Sequence, residues 1–414
     1  MSADKSQLIT EGKASFQAFM LPGPEGADGT DDREKWETKK VPTKSMPVFF
    51  NPHMEFNRDI SVVAVKTWQD RVPENMSIAD VMCGAGIRGI RYLVEAGGTG
   101  THVTFLDLNP AAIRACKANA DLNGIPEESI TLDIGDANEF LFNHGRGETT
   151  RFHVIDIDPF GNPMEFVAGA LRALKRENGM LQVNATDLAV LSGHHFRAAK
   201  RKYLATPLRQ VPYHAEMGAR IVLGGIFRKA LEQDASIRPL LTFAKRHFVK
   251  VIVEKVAGAE RGNEDLHQLG YVVQCRSCFD HAIITADELA GSTACAHCGS
   301  PRIDNGGPMW IGPLHDEKFC IDALEALKAI PYLAKKNSEG KMLELCAAEA
   351  TLPPIGYDIH DLASKAEIRI PSFDRIIEAV RAAGWNVARD SINPLGIKTT
   401  ASRNALIDIV RSMT

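Results

Sequence analysis

The chain has 414 residues, 44% of them apolar and 24% charged, with a formal net charge of -4. That length leaves room for two or three domains, and the balance is that of an ordinary globular protein rather than a membrane or disordered one. A chain of this charge can hold nucleic acid only through local basic patches.

The opening stretch MSADKSQLITEGKASF lacks the apolar segment of a secretion signal. The eight cysteines are dispersed apart from two pairs, so a disulfide scaffold is not expected. A reducing compartment, the cytoplasm, is the expectation. Residues 21–40 are rich in Gly, Pro and charge and read as a flexible loop. From about Ser61 to Lys250 apolar strand-like runs alternate with helical ones. The strands are predicted at 77–83, 102–108, 129–136, 152–158 and 179–185, and helices at 87–96, 110–122 and 163–176. This alternation predicts a doubly wound, Rossmann-like α/β domain. Near Gly270 the pattern turns into a cysteine-bearing, turn-rich segment, and from about 315 helical patterns dominate. The predicted division is 1–266 for an α/β catalytic domain and 267–414 for a smaller α+β region.

ADVMCGAGIRGIRY (79–92) reads as strand, glycine turn and helix. Gly84 and Gly86 let backbone approach a ligand at the helix N-terminus. Asp107 ends the next strand, where a carboxylate can accept both ribose hydroxyls. Counting Gly89, the spacing is also G-x-G-x-x-G, so this motif alone leaves a nicotinamide cofactor open. Asp136, at a third strand end, is either a helix N-cap or a ligand of an adenine amino group.

The fourth strand ends in DIDPFG (156–161). Asp158 delivers a carboxylate to the sheet edge, Pro159 a carbonyl on a fixed φ, and Phe160 a flat face. An exocyclic amino group on a base needs this combination. Two acceptors orient its N–H groups, and an aromatic ring stacks on the base. The bland alternative is an Asp turn with a core Phe.

CRSC (275–278) and CAHC (295–298) give two C-x₂-C pairs sixteen residues apart. Cys275, Cys278, Cys295 and Cys298 therefore read as a closed, structural zinc site, with His297 facing solvent. The segment around them, about 271–303, is poor in apolar residues and would fold around the metal. RAAKRKY (197–203) and AKRHFVK (244–250) are basic stretches that could meet phosphates. IPSFDRIIEAVRAAGWNVARDSINPLGIKTTA reads as helix, turn, recognition-like helix and a strand pair bearing Lys398. That suits a winged-helix-like unit over about 355–414.

Beyond these motifs the chain resembles the archaeal-type tRNA guanine-26 N2-dimethyltransferase family. The resemblance rests on TEGKA (10–14), VFFNPHMEFNRDISV (48–62), GAGIRGIRY, DIDPFGNPMEF, ATDLAVLSG (185–193), RKYLATPLR (201–209), WIGPLHDEK (310–318) and PLGIKTTA (394–401). It implies an S-adenosylmethionine-dependent enzyme acting on tRNA, with no obligate protein partner evident. Arg58 and Arg88 look like ligands of the cofactor, Asp107 like its ribose ligand, and Asp136 and Ala137 like neighbours of its adenine. Asp158 looks like the catalytic carboxylate, with Phe49 and Phe160 enclosing the guanine. Thr186 and Asp187 would stand behind the pocket wall. Cys83 departs from the small residues that usually open this glycine turn, and is expected to be a buried structural thiol. The zinc module is expected to support tRNA docking rather than chemistry. Two rival readings are an amino methyltransferase of another base and a tRNA-binding protein without catalysis.

Overall fold

The computed structural model describes residues 6–19, 48, 50–72, 75–245 and 248–413. The loop expected at 21–40 and Phe49 lie outside those residues. An N-terminal hairpin, β1 (Ser6–Glu11) and β2 (Ala14–Phe19), precedes helix α1 (Glu55–Gln69). The α/β unit then follows the predicted alternation. β3 (Ser77–Val81) leads to α2 (Ile87–Arg91), which runs on as a π-helical turn to Ala96. β4 (His102–Asp107), α3 (Pro110–Leu122), β5 (Ile130–Ile134), α4 (Ala137–His144), β6 (Val154–Ile157), α5 (Met164–Ala173) and β7 (Gly179–Ala185) come next. A short α6 (Leu188–Leu191) and α7 (Phe196–Tyr203) lead to the long α8 (His214–Leu231). β8 (Ala235–Lys245) and β9 (Phe248–Ala257) close the sheet as an antiparallel hairpin.

The sheet order is β5-β4-β3-β6-β7-β9-β8, parallel from β5 to β7. Strands β6 and β7 are buried along their whole length, as expected of inner strands covered on both faces. One face packs on α4, α5 and α8 through Phe140, Leu171 and Phe227. The other packs on α1, α3 and later helices through Trp68, Phe105 and Phe319. Because the chain enters at β3, winds outward to β5 and returns to β6, a crevice opens at the carboxyl ends of β3 and β6.

After α9 (Ala259–Asp265), β10 (Leu269–Cys275), β11 (His281–Thr285), α10 (Ala286–Leu289) and β12 (Ile303–Trp310) form a three-stranded unit with order β11-β10-β12. It shares a core with α8, where a Cβ on Gly224 would come within 2.9 Å of the Trp310 nitrogen. Helices α11 (Glu317–Lys328) and α12 (Asn337–Glu349) pack against α1. The chain ends in β13 (Tyr357–Asp358), α13 (Ile359–Ala366), α14 (Phe373–Ala382), β14 (Val387–Arg389), β15 (Gly396–Thr399) and α15 (Arg403–Ser412), around a core of their own. The winged-helix-like order is present, but its first helix, α13, lies upstream of the sequence stretch that suggests it. Only α14 falls between Ile370 and the strand pair. Among the described residues no helix is long and apolar enough to cross a membrane.

Candidate active site

The glycine turn after β3 is built by left-handed backbone at Gly84 (φ +55°) and Gly86 (φ +76°). A side chain on Gly86 would also meet the Cys116 sulfur at 2.4 Å. Asp107, at the end of β4, accepts from the Gly84 N–H at 2.9 Å and from the Asn109 N–H at 2.9 Å. Its carboxylate thus pins the turn it borders. Asp136 caps α4, with one oxygen accepting from the N–H groups of Asn138 and Glu139, and Ala137 is buried behind it. The N-cap reading of Asp136 is met, and its position at the sheet edge leaves the ligand reading compatible. Cys83 is half-buried rather than fully buried as expected, with its sulfur 3.7 Å from the Gly84 carbonyl, and the neighbouring Cys116 together with desolvation pushes its thiol well above the usual range.

Asp158 lies one residue past β6, its side chain 29% exposed. Arg88 donates to it at 2.5 Å and to Asn57 and Ser61 at 2.8 and 3.0 Å. Arg88 therefore sits beneath the carboxylate, and the structure brings these two predicted site residues into direct contact. Burial works against the Arg88 cation, but Asp156 and Asp158 more than offset it and keep it charged, above its ordinary value. Below lies a buried cluster. Asp156 holds Lys250 at 3.3 Å, accepts the Tyr92 hydroxyl hydrogen, and neighbours Asp80 across the β3–β6 pair. Burial, with Asp156 beside it, pushes the Asp80 carboxyl up to about 7. Burial also draws Lys250 down to about 8. Asp156 is buried as well, yet Arg88 and Lys250 hold it below the usual carboxylate range.

The turn that follows is tied across to β7. The Gly161 N–H donates to the Thr186 hydroxyl at 2.8 Å, and the Thr186 N–H to the Gly161 carbonyl at 3.0 Å. Thr186 thus braces the turn, and Phe160 is left 52% exposed. Asp187 accepts from the Tyr203 hydroxyl at 2.5 Å. Arg58 does not touch Arg88. Its fork closes on Glu11 of the N-terminal hairpin, with both contacts at 2.6 Å, and Nη1 donates to the Asn51 carbonyl. Glu11 in turn accepts from Arg91 at 2.6 Å, so TEGKA anchors the hairpin onto α1 and α2.

Sequence reasoning missed Glu11, Asn57, Asp80, Arg91 and Asp156. A signal existed: single charged residues interrupt apolar strands in SIADV, VIDI and FVKVIV. One of them corrects an expectation. Lys250 belongs to a basic stretch expected to meet phosphates, yet it is wholly buried on β9 because its ammonium faces Asp156.

The four predicted cysteines converge at the end of β10. Their sulfurs lie within 4.8 Å of one another, with Cys275–Cys298 and Cys278–Cys295 at 3.6 Å. Tetrahedral zinc thiolates at about 2.3 Å from the metal stand about 3.8 Å apart, so this donor set fits. The Ser277 and Cys278 N–H groups point at the Cys275 sulfur.

The sheet order, the glycine turn with Asp107 and the carboxylate-bearing turn after β6 define the class, a doubly wound α/β methyltransferase. Residues 29–411 match the family described as N2,N2-dimethylguanosine tRNA methyltransferase, and the chain belongs to that family. It is 35% identical over 371 residues to the tRNA (guanine(26)-N(2))-dimethyltransferase of Methanothermobacter thermautotrophicus, spanning 89% of this chain and 93% of that one. The enzyme of the same name from Methanocorpusculum labreanum is 36% identical over 398 residues, 95% of this chain and 94% of its own. Trm1 from Pyrococcus horikoshii, solved with S-adenosyl-L-methionine, superposes with a TM-score of 0.79 at 31% identity, covering 98% of this chain and 100% of that one.

Proposed function

We propose that this chain transfers two methyl groups in succession from S-adenosylmethionine to the exocyclic N2 of guanine 26 in tRNA. The observation that carries the reading is the seating of Asp158. It stands at the carboxyl end of β6, held by Arg88 below and by a turn bonded to Thr186, across the crevice from the glycine turn. The relatives carry this activity in their names, and the Pyrococcus protein was solved with the methyl donor.

The residues present fit that donor. Asp107 offers a carboxylate for the ribose diol beside Gly84 and Gly86, and Asp136 with Ala137 borders the adenine side. Arg58 and Arg88 are the guanidinium groups proposed for the methionine carboxylate; their nitrogens are held by Glu11 and the Asn51 carbonyl and by Asp158, Asn57 and Ser61, so binding the donor would exchange some of these partners. When bound, S-adenosylmethionine supplies an electrophilic methyl on a cationic sulfur. Guanine N2 is a poor nucleophile because its lone pair is delocalised into the ring. Asp158 accepts one N2 hydrogen and the Pro159 carbonyl the other, which orients the amino group and stabilises the positive charge growing on nitrogen. The N2–CH₃ bond forms as the sulfur–methyl bond breaks, and the released proton passes to Asp158. In the second transfer the remaining N2 hydrogen takes the same acceptor. Phe160 offers its face to the base.

Zinc on Cys275, Cys278, Cys295 and Cys298 would be structural, since four thiolates leave no position for water. The division at 266/267 separates chemistry from RNA support rather than two independently folded cores, because β12 shares its core with α8. The test is transfer of labelled methyl to unmodified tRNA transcripts. Incorporation is expected with guanine at position 26 and lost with adenine there. Equal labelling of both transcripts would overturn the assignment.

A further inference from the structure

Two helices compete as the element that meets the RNA. Fold analogy points to α14, the recognition-like helix of the winged-helix-like unit. Its sequence FDRIIEAVRA carries two acids and two bases, so it offers no net attraction to phosphate. The strand pair beside it is turned inward. Lys398 on β15 is buried, paired with Glu216 of α8 at 3.1 Å and Glu349 of α12 at 3.0 Å. Ser391, in the connecting loop, bonds the same Glu349 through its N–H and hydroxyl, both at 2.8 Å. The loop and strand that would follow a groove are thus used to hold the unit onto the rest of the chain.

Helix α7 is the reverse case. FRAAKRKY carries four cations and no acid. Ala199 and Tyr203 face inward, while Arg197, Lys200, Arg201 and Lys202 are exposed, with Arg209 exposed just beyond. Lys202 stands 3.6 Å from Asp187. Among the described residues Arg197, Lys200, Arg201 and Arg209 form no ion pair with a carboxylate. Arg209 lies over the Phe196 ring at 4.6 Å. On a chain of net charge -4 this is an unneutralised local cluster. It is also wired to the reacting turn. Tyr203 bonds Asp187, the neighbouring Thr186 bonds Gly161, and Gly161 closes the turn that begins at Asp158.

We propose that α7 with Arg209 is the phosphate-binding surface that docks the RNA strand beside the extruded base, and that α14 does not supply this contact. The inference rests on the reading of the chain as a tRNA methyltransferase. A polyanion is the partner this charge fits, and the short bonded path from α7 to the Asp158 turn places phosphate contacts next to the reacting base.

The test uses the full chain and an unmodified tRNA transcript, with binding measured across a range of NaCl concentrations. The Arg197→Gln/Lys200→Gln/Arg201→Gln protein is expected to bind tRNA about 10- to 100-fold more weakly at low salt. Its salt slope should fall by about 2–3, since each phosphate left without its cation removes roughly 0.7–0.9. Its affinity for S-adenosylmethionine and its melting temperature should match the parent, which excludes a folding defect. The single Lys200→Gln protein gives a graded version of the same loss. Arg375→Gln/Arg381→Gln, on α14, should stay within about twofold of the parent. An α7 variant with parental tRNA affinity and slope would overturn the proposal, as would an α14 variant that weakens binding as much. If the parent methylates tRNA while the α7 variant binds normally, only the docking surface fails. A parent that neither binds nor methylates tRNA fails both.

Discussion

Two buried charge clusters in this molecule have nearly the same composition and different ends. Under the crevice, Asp80, Asp156 and Asp158 face Arg88 and Lys250, with the Tyr92 hydroxyl as neutral donor. Between α8, α12 and β15, Glu216, Glu349 and Asp390 face Arg220 and Lys398, with His315 at 3.0 Å from Glu349. Each has one carboxylate more than its cations, and each resolves the excess alike: burial pushes Asp80 and Asp390 up to about 7. The first cluster has an open end, since Asp158 reaches the crevice. The second closes on itself, and none of Glu216, Arg220, Glu349 or Lys398 is more than 2% exposed. An open cluster leaves one carboxylate accessible from outside. A closed one fixes one part of the chain on another.

The largest expected effect separates these roles. Asp158→Ala should lower single-turnover methyl transfer roughly 10²–10⁴-fold, the range for an acid–base or electrostatic group, with both ligands still bound and little change in melting temperature. Parental turnover in that protein would remove Asp158 from the chemistry. Lys398→Met should do the opposite. It leaves Glu349 without its lysine and Glu216 with Arg220 alone, and losing one partner of a buried pair costs about 3–5 kcal/mol. Denaturant titration should show that loss, while Asp158 chemistry persists wherever the protein stays folded. A Lys398→Met protein as stable as the parent would show that the closed cluster is not what holds the C-terminal unit.

Asp107→Ala should weaken S-adenosylmethionine binding by about 1–3 kcal/mol, and calorimetry giving unchanged affinity would assign the ribose to another group. A smaller, pH-dependent effect reports on the closed cluster through Glu216. Burial works against Glu216, but Lys398 and Arg220 hold its carboxyl down to about 2. Its stabilisation is full above its ordinary value of 4.5 and is lost as pH falls toward about 2. Asp80 and Asp390 act with the opposite sign and chiefly above that range. Acid unfolding of the parent should therefore steepen below about pH 4.5, and Glu216→Gln should flatten it. Identical acid profiles would contradict the pairing.

Much of this was legible in sequence for a physical reason. Apolar runs bounded by turns suit inner strands of a covered sheet, and the predicted strands at 77–83, 102–108 and 179–185 match the observed ones to within a residue or two at their ends. The cysteine quartet was legible because its spacing restricts the chemistry, and the glycine turn, Asp107 and Asp158 because they end or follow apolar strands at one edge of the sheet. The ionic clusters were not, because sequence shows a charge but not what faces it. Lys250 and Lys398 look like surface cations until β9 and β15 are placed against Asp156 and Glu216. Arg88 entered as a cofactor ligand only through the family resemblance, and its bond to Asp158 emerges only when β3 and β6 are placed side by side.

The most direct test of the central claim is a quenched time course of nucleosides from unmodified tRNA, incubated with the full chain and S-adenosylmethionine and analysed by mass. The account predicts N2-methylguanosine that rises and then converts to N2,N2-dimethylguanosine at position 26, with both steps lost together in Asp158→Ala. Methylation at another atom or position, or a product that stops at the monomethyl stage with the parent protein, would contradict it.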